Sequence, residues 1–310
     1  MTSAVHSPEQ LRAHRDKRPR SLGQRLDGAA GLFLSLPALI IMAGLMLYPF
    51  GYAVWLSFVQ WKPKHQTFVG FDNYARILTD PIFWTGVSNT LFYTVWNVIF
   101  GTALSIGMAL LMNRPNFVAR FLRLAVFLPV IVSSAVASIS WIWLLNADNG
   151  LLNQLLELLH ISKTGVPWLN SPDYARWSIV MVNLWLGTGL SSMLLLAAMQ
   201  NIPRELHEAA ALDGANSWHR LIYVIIPAIR PTLLVVVIIK LIGSFKTFDQ
   251  VFIMTGGGPL YTTETMLIYL YRQGFEYFDF GFAGAVGVVF FIIVGALSVG
   301  QALLLRERNK

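Results

Sequence analysis

Lys240, Ser244 and Thr247 stand at i, i+4 and i+7, with Val251 at i+11, so one continuous helix would carry all four on a single stripe. The run around them is otherwise apolar. An ammonium and two hydroxyls in such a run offer hydrogen-bond donors to a polar ligand and suggest a hydrated cavity. Asn183, Leu186, Gly187 and Leu190 repeat the helical spacing in a second apolar run. Asn183 both donates and accepts, which suits a sugar hydroxyl, and Gly187 lets a ligand or a neighbouring helix approach the backbone. The same residues admit a purely structural reading. Lys240 and Lys246 would then snorkel or pair internally, Lys246 with Asp249 three residues on.

A second group lies between those two runs. Ile202-Pro203-Arg204-Glu205 reads as a helix opening, with Pro203 tolerated in the first turn and Glu205 favoured at the helix N-terminus. Glu208, Ala209, Ala210 and Ala211 continue it with high helix propensity and little bulk, so the helix is thin enough to lie close against another surface. Asp213 precedes Gly214, which supplies the left-handed position that ends a helix before Ala215. A second short helical piece over 217–226 then leads to Pro227. A plain helical hairpin at a membrane surface accounts for this pattern equally well.

Catalytic constellations are missing. His207-Glu208 opens like a zinc-protease helix, but position 211 is Ala rather than His, and the other histidines show no ligand spacing. No phosphate-binding Gly-x-x-x-x-Gly-Lys-Ser/Thr loop occurs, so ATP would have to be hydrolysed by another chain. The absence of cysteine excludes disulfides and thiolate metal sites. These features predict a non-enzymatic protein.

The elements that must position these residues are membrane helices. Of 310 residues 55% are hydrophobic and 13% charged, and the mean hydropathy is +0.57, far too apolar for an ordinary soluble domain. A hydrocarbon core needs roughly 20 apolar residues per helix. Six runs qualify, at 29–58, 88–112, 122–145, 177–199, 231–254 and 282–305. The expectation is an all-α polytopic membrane protein with six transmembrane helices. Residues 1–28 form a basic tail that can rest on anionic membrane lipid, 29–306 the membrane domain with its 201–230 loop, and 307–310 a short second tail. The net charge of +7 falls mainly on alternate loops, which predicts both termini and the 201–230 loop on the cytoplasmic side and argues against nucleic acid. The N-terminal stretch lacks the pattern of a cleaved signal. On the other side, 59–87 and 146–176 should each hold a short interfacial helix, the second over 150–159, while Thr255-Gly256-Gly257-Gly258-Pro259 should turn. No long internal repeat supports an inverted-repeat, ion-coupled secondary transporter.

Glu208-Ala209-Ala210, Asp213-Gly214-Ala215 and the later Ile226-Pro227 resemble the EAA loop of bacterial ABC-importer permeases. Further landmarks are similar to the sugar-type group that includes maltose and glycerol-3-phosphate importers. They are Tyr48-Pro49, Phe68 to Tyr74, Phe127-Leu128-Pro129, Trp185-Leu186-Gly187 and, most specifically, Phe248-Asp249 through Thr255-Gly256-Gly257-Gly258-Pro259 to Thr263-Glu264-Thr265. The likeness runs from about residue 30 onward and favours the maltose-permease F-like branch, without a large external insertion. It implies the type I ABC-importer permease fold in a bacterial inner membrane. It also implies a heterodimer with a second permease, two ATPase subunits that bind ATP and Mg, and an extracytoplasmic substrate-binding protein. Glu208, Ala209, Ala210, Asp213, Gly214 and Ala215 would couple to an ATPase. Asn183, Leu186, Gly187, Leu190, Lys240, Ser244 and Thr247 would line the substrate pathway. That family more often has a neutral residue near Lys240. A cation there favours a phosphorylated cargo such as glycerol-3-phosphate or a glycerophosphodiester, although a lysine can equally donate to a neutral sugar.

Overall fold

A computed structural model describes residues 34–62, 65–162 and 164–307. The expected basic tail, and the last residues of the chain, lie outside the described residues. The described residues divide after residue 52 into two units. The first contributes the apolar helix α1, Leu34–Leu56, up to residue 52.

The rest begins with a two-stranded antiparallel hairpin, β1 (Val59–Lys62) and β2 (His65–Phe68), with Val59 opposite Phe68. Hydropathy had not revealed it. Helix α2 (Asp72–Thr79) is a short helix in the segment where one was expected. Asp80 then caps α3 (Pro81–Met112), its carboxylate accepting the Ile82 and Phe83 N–H groups at 2.8 and 3.3 Å. Because Pro81 can open a helix, this span starts seven residues before the expected 88.

Burial on α3 inverts the pattern of soluble helices. Its buried positions include Gly86, Asn89, Thr90, Thr94, Asn97, Gly101 and Ser105, while Leu91, Ile99, Phe100 and Leu104 are exposed. Small and polar residues let helices approach, and the bulky apolar side chains face outward. Thr90, Thr94 and Ser105 satisfy their hydroxyls on the carbonyl four residues back.

The third expected span is broken. Helices α4 (Phe117–Ile131) and α5 (Ser134–Leu144) meet at 109° across residues 132 and 133. Val132 and Ser133 both leave helical backbone, with ψ of 132° and 139°. Hydropathy is blind to such a change, because the apolar run continues across it. After α6 (Leu151–Leu158), the expected short helix, comes α7 (Pro172–Gln200). It packs along α3, α4 and α9, and a Cβ at Gly189 would strike the Val126 carbonyl of α4.

Helix α8 (Arg204–Leu212) stands where the sequence placed it. The piece beyond it is not a separate helix. Residues Ser217–Phe245 form one continuous helix, α9, with a π-helical turn at Leu221–Ile225 ahead of Pro227. A proline removes one N–H and crowds the preceding turn, and a widened turn absorbs both effects. The helix stops at Phe245, earlier than the expected 254, and α10 (Asp249–Met254) follows after a break. Helix α11 (Met266–Tyr271) and the final span α12 (Phe280–Glu307) complete the chain. Among the described residues five helices are long and apolar enough to cross a membrane, and there are six if the bent α4–α5 pair is one span.

Candidate functional site

The two breaks face each other. Asp249 opens α10 and accepts a hydrogen bond from Ser134, which opens α5, so the restarted helices are pinned together. Beside them lies a cavity of about 360 Å³ walled by α3, the α4–α5 break, α7, α9 and the start of α10. Irregular backbone at membrane depth is tolerated where it is buried in protein or lines such a cavity.

Six of the seven expected pathway residues line it: Asn183, Leu186, Gly187, Leu190, Lys240 and Ser244. Thr247 does not. It sits in the break after α9, donates to the Ser244 carbonyl at 2.9 Å and accepts from the Asn183 amide at 3.4 Å. Thr247 therefore holds a lining residue. The expected stripe ends with Ser244, because the helix ends one residue later and Val251 belongs to the apolar core on α10. The expected Lys246–Asp249 pair does not form either. Lys246 is exposed at the end of α9, no ion pair joins it to Asp249, and Ser134 occupies that carboxylate. The i, i+3 rule presumes one helix, and the break removes it.

Lys240 is 8% exposed and donates to the Gly187 carbonyl at 3.2 Å. Gly101 on α3 gives it room, since a Cβ at that position would lie 2.9 Å from its Nζ. Asn97, Ser134, Ser191 and Gln250 also line the cavity and were not anticipated. An amide in the apolar run of span two was the available signal for Asn97. Nothing short of the tertiary structure brings Ser134 and Gln250 there.

The second group stands apart on α8. Its end is a Schellman motif: Gly214 N–H reaches the Ala211 carbonyl at 3.1 Å and Ala215 N–H the Ala210 carbonyl at 2.9 Å. Gly214 has φ +72°, the left-handed value its position requires, and open space beside it. Glu208, Ala209, Asp213 and Gly214 are exposed, Ala215 is half-buried and Ala210 is buried. Bulky apolar side chains surround them in the open, with Leu212 90% exposed alongside Leu206, Trp218 and Tyr223. A hollow of about 360 Å³ lies between Ala210, Asp213, Gly214, His219 and Tyr223.

A third region, between α10 and α11, is closed upon itself. Arg272 grips both oxygens of Glu264 at 2.8 and 2.9 Å and donates to the Gly256 carbonyl at 2.9 Å. Glu264 has 0% exposure, and burial raises its carboxyl to about 7 against the opposing pull of Arg272. Asn89 on α3 donates to the carbonyls of Glu264 and Tyr261, anchoring the loop to the bundle. Gly257, at φ +88°, is obligatory: a Cβ there would strike the Glu264 carboxylate.

Residues 99–309 match the family described as the binding-protein-dependent transport system inner membrane component. The chain belongs to that family. As such a permease it is similar along most of its length to the sulfoquinovosyl glycerol transport system permease protein SmoG of Agrobacterium fabrum. The two are 30% identical over 291 residues, 93% of each chain. The lactose transport system permease protein LacF of Rhizobium radiobacter is 32% identical over 293 residues, covering 93% of this chain and 98% of that protein. A probable ABC transporter permease, YurN of Bacillus subtilis, is 34% identical over 280 residues, covering 87% and 93%. Among solved structures, a bacterial ABC transporter involved in alginate import superimposes with a TM-score of 0.80 at 23% identity. It covers 93% of this permease and 99% of that chain. The fold is thus the type I ABC-importer permease fold, in a multi-pass inner-membrane protein.

Proposed function

We propose that this permease forms, with a second permease, the alternating-access pathway of an ATP-driven importer for a sugar or related polyol. The observation that carries the reading is the cavity. It joins amides, hydroxyls and one ammonium from five elements at the point where two membrane helices break. Those groups match a hydroxyl-rich molecule. Two relatives named as lactose and sulfoquinovosyl glycerol permeases support the same class.

In this reading α8 lies on the cytoplasmic side, as do both chain termini, and Glu208, Ala209, Ala210, Asp213, Gly214 and Ala215 dock on one of two ATPase subunits. ATP and Mg bind there, not on this chain. The exposed Leu206, Leu212, Trp218 and Tyr223 supply apolar surface for that contact. ATPase closure would bias the permease pair between inward- and outward-facing states through differential contacts with α8. An extracytoplasmic binding protein delivers the cargo on the opposite side. The alginate transporter in complex with its sugar-bound periplasmic protein is a parallel.

The test is to purify the whole complex with its binding protein and measure ATP hydrolysis against a panel of sugars and polyols. Stimulation by one sugar class, lost in Gly214→Asp, is the expected result. ATP-independent uptake driven by an ion gradient would sink the reading in favour of a secondary transporter.

A further inference from the structure

Sixteen residues line the central cavity, and Lys240 is the sole ionisable one among them. Its ammonium has three donors, of which the structure engages one, on the neutral Gly187 carbonyl. Lys240 takes part in no ion pair among the described residues. The acidic residue next to lining Gln250 is Asp249, and Ser134 has engaged its carboxylate. A buried charge at this depth is costly unless it is paired or faces water. The fold nevertheless makes room for it, since Gly101 leaves α3 smooth where the Nζ arrives. A second group in the same cavity is also left incompletely satisfied. The Oδ1 of Asn97 is buried and accepts no hydrogen bond within the described residues.

We propose that the cargo is a sugar or polyol bearing an anionic group, a carboxylate, sulfonate or phosphate, and that Lys240 receives that group in the cavity. The proposal rests on the reading of this cavity as the transport pathway and narrows its cargo. A neutral sugar would satisfy Asn97, Ser244 and Gln250 but leave the ammonium without a counter-charge. A cationic cargo would be repelled. An anion with hydroxyls around it meets both needs together: a counter-charge for Lys240 and a hydroxyl proton for the Asn97 Oδ1. Gly187 lies one helical turn from Asn183 on α7, so the amide of Asn183 stands beside the carbonyl that steadies Lys240.

The experiment uses the complete importer in liposomes with its binding protein. The binding protein is first screened by thermal shift against neutral di- and trisaccharides, uronate-bearing oligosaccharides, sulfonated hexosides, glycerol-3-phosphate and glycerophosphodiesters. Uptake of the best acidic and best neutral compound is then measured for the wild type and for Lys240→Met. That substitution removes the ammonium while keeping an unbranched side chain that suits an apolar span, and a melting curve checks that it folds. The expected result is selection of an acid-bearing compound and at least a tenfold loss of its uptake in Lys240→Met. Its affinity for the binding protein is unaltered, and the transporter's preference shifts toward neutral analogues. A neutral compound taken up as the preferred cargo would overturn the proposal while leaving the importer reading intact, and the lysine's counter-charge would then come from another subunit. Undiminished uptake of an acidic cargo by Lys240→Met would overturn it as well. A wild-type complex that moves neither class, with ATP hydrolysis unstimulated, overturns the importer reading itself and this proposal with it.

Discussion

Residues 210–216 and 255–265 both turn on glycines held at positive φ, at Gly214 in the first and Gly256 and Gly257 in the second. Their side chains behave oppositely. In the first, the backbone closes α8 by itself through the Ala210, Ala211, Gly214 and Ala215 bonds, and Glu208 and Asp213 are left exposed. In the second, Glu264, Thr263 and Thr265 are buried, and Arg272 and Asn89 satisfy the groups that the turn would otherwise orphan. A loop whose side chains are spent internally is part of the fold. One that holds its shape by backbone alone while showing charge and apolar bulk outward is free to be completed by something else. The contrast separates two kinds of substitution, those that should affect traffic between proteins and those that should affect stability.

The largest effect is expected where the backbone is self-sufficient. Glu208→Lys and Gly214→Asp should reduce uptake in vesicles to background while the subunit stays in the membrane. The Gly214 change should cost only about 1 kcal/mol of stability, for a side chain at positive φ. Normal uptake in both variants would erase the distinction between the loops. Next comes Arg272→Ala. It removes the hydrogen bonds to Glu264 and to the Gly256 carbonyl, lets the buried carboxyl take up a proton and should destabilise by roughly 1–3 kcal/mol, read as a lowered melting temperature of the purified protein. A shift of a degree or less would mean that the loop does not depend on the pair.

The pH dependence sharpens the second half of the comparison. Burial raises the Glu264 carboxyl from 4.5 to about 7, the pull of Arg272 notwithstanding. Because the folded value lies above that of the free side chain, the stability it contributes is complete below pH 4.5. That stability is lost as pH rises through about 7. Stability of the wild type should therefore fall across that window by a few kcal/mol at most, and Glu264→Gln should flatten the curve. A slope unchanged in Glu264→Gln would assign the effect to other groups. The smallest effect is expected from Asn216→Ala. The Asn216 side chain accepts the His219 N–H at 2.8 Å at the start of α9, and losing this cap should cost about 1 kcal/mol. Because that bond is local, uptake should fall far less than in Gly214→Asp.

Much of this architecture was legible beforehand. Helix α8, its glycine terminator and the short α6 stand where local propensity put them, since each depends on a few consecutive residues. The cavity was legible in part. Asn183 and Gly187 on one span and Lys240 and Ser244 on another share helical faces, and helical spacing reveals a face without its opposite wall. Asn97, Ser134 and Gln250 escaped for that reason. The β1–β2 hairpin escaped because a short polar strand carries no distinctive hydropathy.

The sequence by itself determined what depends on composition and near neighbours: a helical membrane protein, six apolar segments, a thin helix closed by Gly214, and polar groups stranded in two of the spans. Tertiary structure alone decided where those spans break and what the breaks bring together. Ser134 meets Asp249 across 115 residues, the Lys240 stripe ends at Ser244, Thr247 becomes a support for Asn183, and among the described residues Lys240 has no acidic partner. An apolar run records how far a segment can extend through a membrane. The angle at which two residues leave the helix is set by the partners waiting on the other side, and those are distant in the chain.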